Sequence, residues 1–149
     1  MKRAYVETQF AFSDSAKLQL VQAAVAKAEA LDLKIAVSLA SPSGEVVAFV
    51  KMHGALLVSV EMSEIKARSA AGLGIDAEVT EKMLDSFPLR VRDGLLRTKS
   101  VCLVRGGLPI FYKGALVGGM GVSGGTEEQD LECARESLCS VPDFSTRPI

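Results

Sequence analysis

Gly119-Met120-Gly121-Val122-Ser123-Gly124 has the spacing G-x-G-x-x-G. In a βαβ unit that spacing cradles a dinucleotide diphosphate, because glycines let the backbone approach and the helix start offers bare N–H groups with positive dipole. Three features here oppose that chemistry. Residues 125–149 leave room for one helix but not for the second parallel strand. The helix expected there carries Glu127, Glu128 and Asp130 in its first turn, so a phosphate would meet negative charge. Thr126 and Gln129 also form a capping box that already occupies two N–H donors. The glycines are expected to permit close contact instead, with a helix packed on the strand or with a ligand lying flat on it.

Other residues able to do chemistry are few. His53 is the only histidine and follows Met52 at the end of a strand-like run; an imidazole is a candidate metal ligand. Lys66 and Arg105 carry charge beside the small residues Ala67 and Gly106, and Asp130 carries charge near the start of the last helix. Asp130 is either a general base or a dipole partner of its own helix. No H-E-x-x-H motif or ligand cluster appears, and one histidine supplies no evident Ser/His/Asp or Cys/His pair. No catalytic residue is assigned, and an enzyme and a binding module both stay open.

The elements that must position these residues follow from pattern and composition. The chain has 149 residues, 48% of them apolar and only 5% aromatic, so one domain spanning 1–149 with an aliphatic core is expected. Seventeen basic against eighteen acidic residues give no electrostatic case for nucleic acid or for an anionic membrane. Cys102, Cys133 and Cys139 are odd in number and lack a C-x-x-C spacing, which reads as free thiols in a reducing compartment. No apolar run is long enough to span a bilayer and none follows the basic N-terminus, so a cytoplasmic protein is expected.

Ser13 or Asp14 is expected to cap a helix running to about Leu31, with Leu18, Val21, Val25 and Ala28 as its inward stripe. Lys34–Ala40 and Glu45–Met52 read as a hairpin around Ser41-Pro42-Ser43-Gly44. Ser59–Leu73 reads as a helix with Val60, Ile65 and the alanines inward, and with Glu61, Glu64, Lys66 and Arg68 toward water. A surface pair is expected between Glu64 and Arg68. Thr80 is expected to cap a short helix that Pro88 interrupts, and Leu89–Thr98 is ambiguous between helix and loop. Ser100–Arg105 reads as a strand and Gly106–Pro109 as a break. Ile110–Tyr112 and Ala115–Val117 form a second hairpin around Lys113-Gly114. A last helix runs from Thr126 to about Leu138, before an extended tail. Strands that come in hairpins predict an α+β fold with an antiparallel sheet.

Several stretches carry a family resemblance. They are Val46-Val47-Ala48-Phe49, Met52-His53-Gly54-Ala55, Ser59, Lys66-Ala67, Gly106-Gly107-Leu108-Pro109-Ile110 and Val117 to Thr126, then Gln129-Asp130. Over roughly Leu18–Leu138 the chain resembles the haem-binding family of GlcG and HbpS proteins and the C-terminal domain of PduO-type proteins. The resemblance implies a profilin-like or PAS-like central antiparallel sheet of about five strands flanked by helices. It also implies homo-oligomers, and a haem or related tetrapyrrole ligand that some members degrade, in a role accessory to a catabolic pathway. The cofactor-binding candidates are then His53, Met52, Lys66, Arg105, Gly119, Gly121 and Ser123. His53 is the candidate iron ligand, and Lys66 or Arg105 the anchor for a propionate. The sequence departs from the family where an aspartate is usual: Ser41 stands before the first glycine turn, and His53 stands in the "R-M-D-G-A" stretch. The alternative reading is a cofactor-independent accessory enzyme for a small carboxylic acid held by Lys66 or Arg105.

Overall fold

The computed structural model describes residues 3–148. Helix α1 spans Asp14–Ala30, and the Ser13 hydroxyl caps it by accepting the Ala16 N–H at 3.1 Å. Its inward residues are Leu20, Val21, Ala24 and Ala28, whereas Leu18 is 65% exposed, so the stripe is rotated from the expected one. Strands β1 (Ala36–Ala40) and β2 (Val46–Lys51) form the first hairpin. Helix α2 (Leu57–Leu73) stops at Gly74, whose φ of 70° makes a left-handed cap.

Helix α3 (Ala77–Asp85) is capped by Asp76 and not by Thr80. Thr80 lies buried one turn inside, its hydroxyl donating to the Asp76 carbonyl at 2.7 Å. Leu89–Leu96 resolves as helix α4, begun after Pro88. Strands β3 (Gly107–Tyr112) and β4 (Ala115–Ser123) form the second hairpin. Its two turn residues, Lys113 and Gly114, have φ of 48° and 84°, the pair of left-handed residues that a tight hairpin turn requires. Helix α5 (Glu127–Cys139) carries the expected capping box, and β5 (Phe144–Ser145) ends the fold.

Two expectations are corrected around β3. Ser100–Arg105 is not a strand: the Cys102 N–H goes to the Ser69 hydroxyl at 3.0 Å and the Arg105 N–H to a Glu127 carboxylate oxygen at 2.8 Å. Side chains of α2 and α5 thus take donors that a neighbouring strand would have taken. Gly107, Leu108 and Pro109 are strand and not a break. Proline is tolerated there because β5 pairs only with Phe111 and Tyr112, leaving Pro109 without a strand on its far side.

The sheet is antiparallel throughout, in the order β2-β1-β4-β3-β5, so the α+β architecture and its five strands stand. Helices α1 and α5 cover one face and α2 the other. Beneath α1 and α5 lies an aliphatic core of Ile35, Val37, Leu39, Ile110, Met120 and Val122. Burying each such side chain stabilises the fold by about 1.5–3 kcal/mol. The face under α2 is built of Ser38, Ala40, Gly119 and Gly121.

Candidate functional site

Antiparallel order gathers the start of β1, the end of β2, the end of β4 and the start of β3 at one end of the sheet. Met52, His53, Arg105 and Ser123 therefore share that end. Lys66 belongs to the middle of α2, yet its ammonium reaches the same end, where it donates to the Val122 carbonyl at 2.8 Å.

Lys66 does not face water. Its side chain is 2% exposed and its Nζ stands 3.0 Å from Oδ2 of Asp130, itself 3% exposed. The other carboxylate oxygen of Asp130 accepts the Gly125 N–H at 2.8 Å. The pair is thus buried and hydrogen-bonded on both sides, the condition under which two charges can be withdrawn from water. Burial pushes the Asp130 carboxyl above the ordinary carboxylate range; the Lys66 charge and the N–H groups of Gly125 and Gly124 oppose that shift without cancelling it. Burial, with the neighbouring Asp130 adding to it, pushes the Cys133 thiol up to about 11.

Gly106 closes the pocket around this ammonium. A Cβ at Gly106 would stand 2.7 Å from Nζ and 2.6 Å from the Val122 carbonyl oxygen, and its φ of 129° favours glycine independently. The glycines of β4 permit the close approach of a helix. A Cβ at Gly121 would lie 2.1 Å from the Ser63 carbonyl oxygen, and one at Gly119 2.6 Å from the Ala71 nitrogen. The face they pave is filled by the α2 backbone, with Ala67 and Ala71 packed on Ala40 and the Ser38 and Ser63 hydroxyls 2.9 Å apart.

The other candidates differ in what already occupies them. Met52 is buried, and its sulfur accepts the Ile35 N–H at 3.4 Å. Arg105 is partly exposed and donates from one guanidinium nitrogen to Glu81 at 2.5 Å and to the Leu103 carbonyl at 2.7 Å. Ser123 is buried at the end of β4. His53 is exposed and makes no hydrogen bond or ion pair among the described residues. Beside it follow Leu56, Leu57 and Val58, which are 69%, 80% and 56% exposed. Lys34 lies over Gly54, its stem 3.7 Å from where a Cβ would be, and Lys51 ends β2 two residues before His53. Sequence reasoning missed the Lys66–Asp130 pair and the apolar rim at residues 56–58. The rim's signal was present: three large apolar residues in a row at a helix start, ahead of the first inward serine.

Among the described residues no group of histidine, cysteine, aspartate and glutamate side chains could hold a bare metal ion, and no helix is long and apolar enough to cross a membrane.

Comparison with known proteins agrees with this architecture. The corrinoid adenosyltransferase PduO of Citrobacter freundii is 32% identical over 124 residues, covering 83% of this chain and 37% of that protein. The chain thus spans little more than a third of PduO's length. An uncharacterized 15.0 kDa protein from the dhaT-dhaS intergenic region of the same organism is 30% identical over 125 residues, covering 83% and 87%. The crystal structure of the PduOC:heme complex superposes with a TM-score of 0.83 at 30% identity, over 92% of this chain and 99% of that one. Klebsiella pneumoniae ORFY superposes with 0.83 at 26% identity, over 94% and 97%. The family model "Haem degrading protein HbpS-like" matches residues 12–139, and the chain belongs to that HbpS-like family.

Proposed function

We propose that this protein binds haem, as a self-associating accessory protein. The observation that carries the reading is the near end-to-end likeness, at 30% identity, to PduOC, a protein crystallised with haem. The residues present fit the group. An exposed imidazole at His53 is followed by an exposed apolar rim at Leu56, Leu57 and Val58; the stem of exposed Lys34 lies against Gly54, and exposed Lys51 ends β2 two residues before His53. Such a surface offers an iron ligand, an apolar plane for the macrocycle and cations for propionates. Lys66 and Arg105 already hold carboxylates of the chain itself, so the propionate role passes to the exposed lysines. Because the rim is open, a second copy of the chain is the natural cover for the other haem face.

Titration with haemin tests this. The Soret band should shift and saturate near one haem per chain, and His53→Ala should change its position and weaken binding. A featureless, unsaturable absorbance change would overturn the reading. Saturation with an unaltered band in His53→Ala would overturn only the ligand assignment.

A further inference from the structure

A cleft lies at the opposite edge of the sheet. It measures about 660 Å³ and opens between the start of α3, the end of α5 and the tail after β5. That volume lies in the range of small-molecule sites, roughly 300–1,000 Å³. Ile75, Val79, Leu108 and Leu138 supply its apolar lining. Arg135 from α5 and Arg147 from the tail also line it, and both are exposed.

Neither arginine has an ion-pair partner among the described residues. The carboxylate in the lining is Asp76, and one of its oxygens is committed to the Val79 N–H at 3.0 Å as the α3 cap. Glu78, which shares an adjoining recess with Arg135, pairs with Lys82 at 3.6 Å. Two arginines without an ion-pair partner among the described residues therefore line an apolar cleft whose one carboxylate caps a helix. Guanidinium groups recognise carboxylates and related oxyanions through paired N–H donors.

We propose that this cleft binds an amphipathic organic anion, with an apolar ring body on the aliphatic lining and an oxyanion head between Arg135 and Arg147. The proposal does not rest on the haem reading. His53 follows β2, at one edge of the strand order, whereas the cleft borders β3 and β5 at the other.

The probe is 8-anilinonaphthalene-1-sulfonate, followed by titration calorimetry on the whole chain. It should saturate at one per chain. Arg135→Met and Arg147→Met should each weaken it by roughly tenfold or more, the value of a charge-assisted contact. Lys17→Met, at the start of α1 and outside the cleft lining, should leave it unchanged. Both arginines are exposed, so a matched thermal melt will show that each variant folds. Unsaturable binding, or affinity indifferent to both arginine variants, would overturn the site. Haemin supplies the other arm. Haem-loaded protein should still bind the probe; stoichiometric displacement by haemin, with haemin affinity lost in Arg147→Met, would make the cleft the haem seat and overturn a separate site.

Discussion

The two faces of the sheet are packed by different means. Under α1 and α5, bulky aliphatic side chains such as Leu39, Ile110 and Val122 fill the space, and each contributes through the area it removes from water. Under α2 there is almost no side-chain volume: Gly119, Gly121, Ser38 and Ala40 meet Ser63, Ala67 and Ala71 at backbone distance. The second face lets a helix approach so closely that a mid-helix lysine is carried into the interior, where Asp130 and the Val122 carbonyl make its charge tolerable. One face should fail on truncation and the other on enlargement or on loss of charge pairing.

The largest effect should come from breaking the pair. Lys66→Met leaves Asp130 buried without its partner and should cost about 3–5 kcal/mol in chemical denaturation. Adding Asp130→Asn should restore much of that loss, since the amide oxygen still accepts the Gly125 N–H. No recovery in the double variant would show that the two charges are uncoupled. On the aliphatic face, Leu39→Ala should cost about 2–5 kcal/mol by leaving a cavity. Gly121→Ala, which adds one methyl against the Ser63 carbonyl, should cost about 1–3 kcal/mol or more. Gly94→Ala sharpens the contrast by reversing the sign. It sits in exposed α4 with nothing within 4 Å of an added Cβ, and it should stabilise by roughly 0.4–1 kcal/mol. Thiol labelling gives the smallest signal. With its pKa raised to about 11, Cys133 stays protonated at pH 8 and shielded, so iodoacetamide should modify exposed Cys139 and leave Cys133 and Cys102 intact until the protein unfolds.

Where local chemistry decides the structure, the sequence is legible. Ser13 and the Thr126–Gln129 box announce α1 and α5, and Lys113-Gly114 announces the β3–β4 turn. The glycine run in β4 also declares close contact, although not which partner supplies it. Legibility ends where partners are distant in the chain. Lys66 has the look of a solvent-facing helix residue because Asp130 is 64 positions away, and helical periodicity cannot show that the sheet brings them together. Val101–Arg105 has the composition of a strand, but Ser69 and Glu127 claim its N–H groups from other elements. At the candidate haem site, His53 was visible as a lone imidazole; that Met52 would be buried with its sulfur engaged depended on the pairing of β1 with β2.

On the proposed reading, ligand chemistry lies on the exposed rim and structural duty on the buried pair. Haemin affinity, measured side by side in His53→Ala and in the Lys66→Met, Asp130→Asn double variant, separates the two most directly. The rim variant should lose affinity while the folded double variant keeps the wild-type value; the reverse pattern, with binding lost only when the buried pair is neutralised, would contradict it.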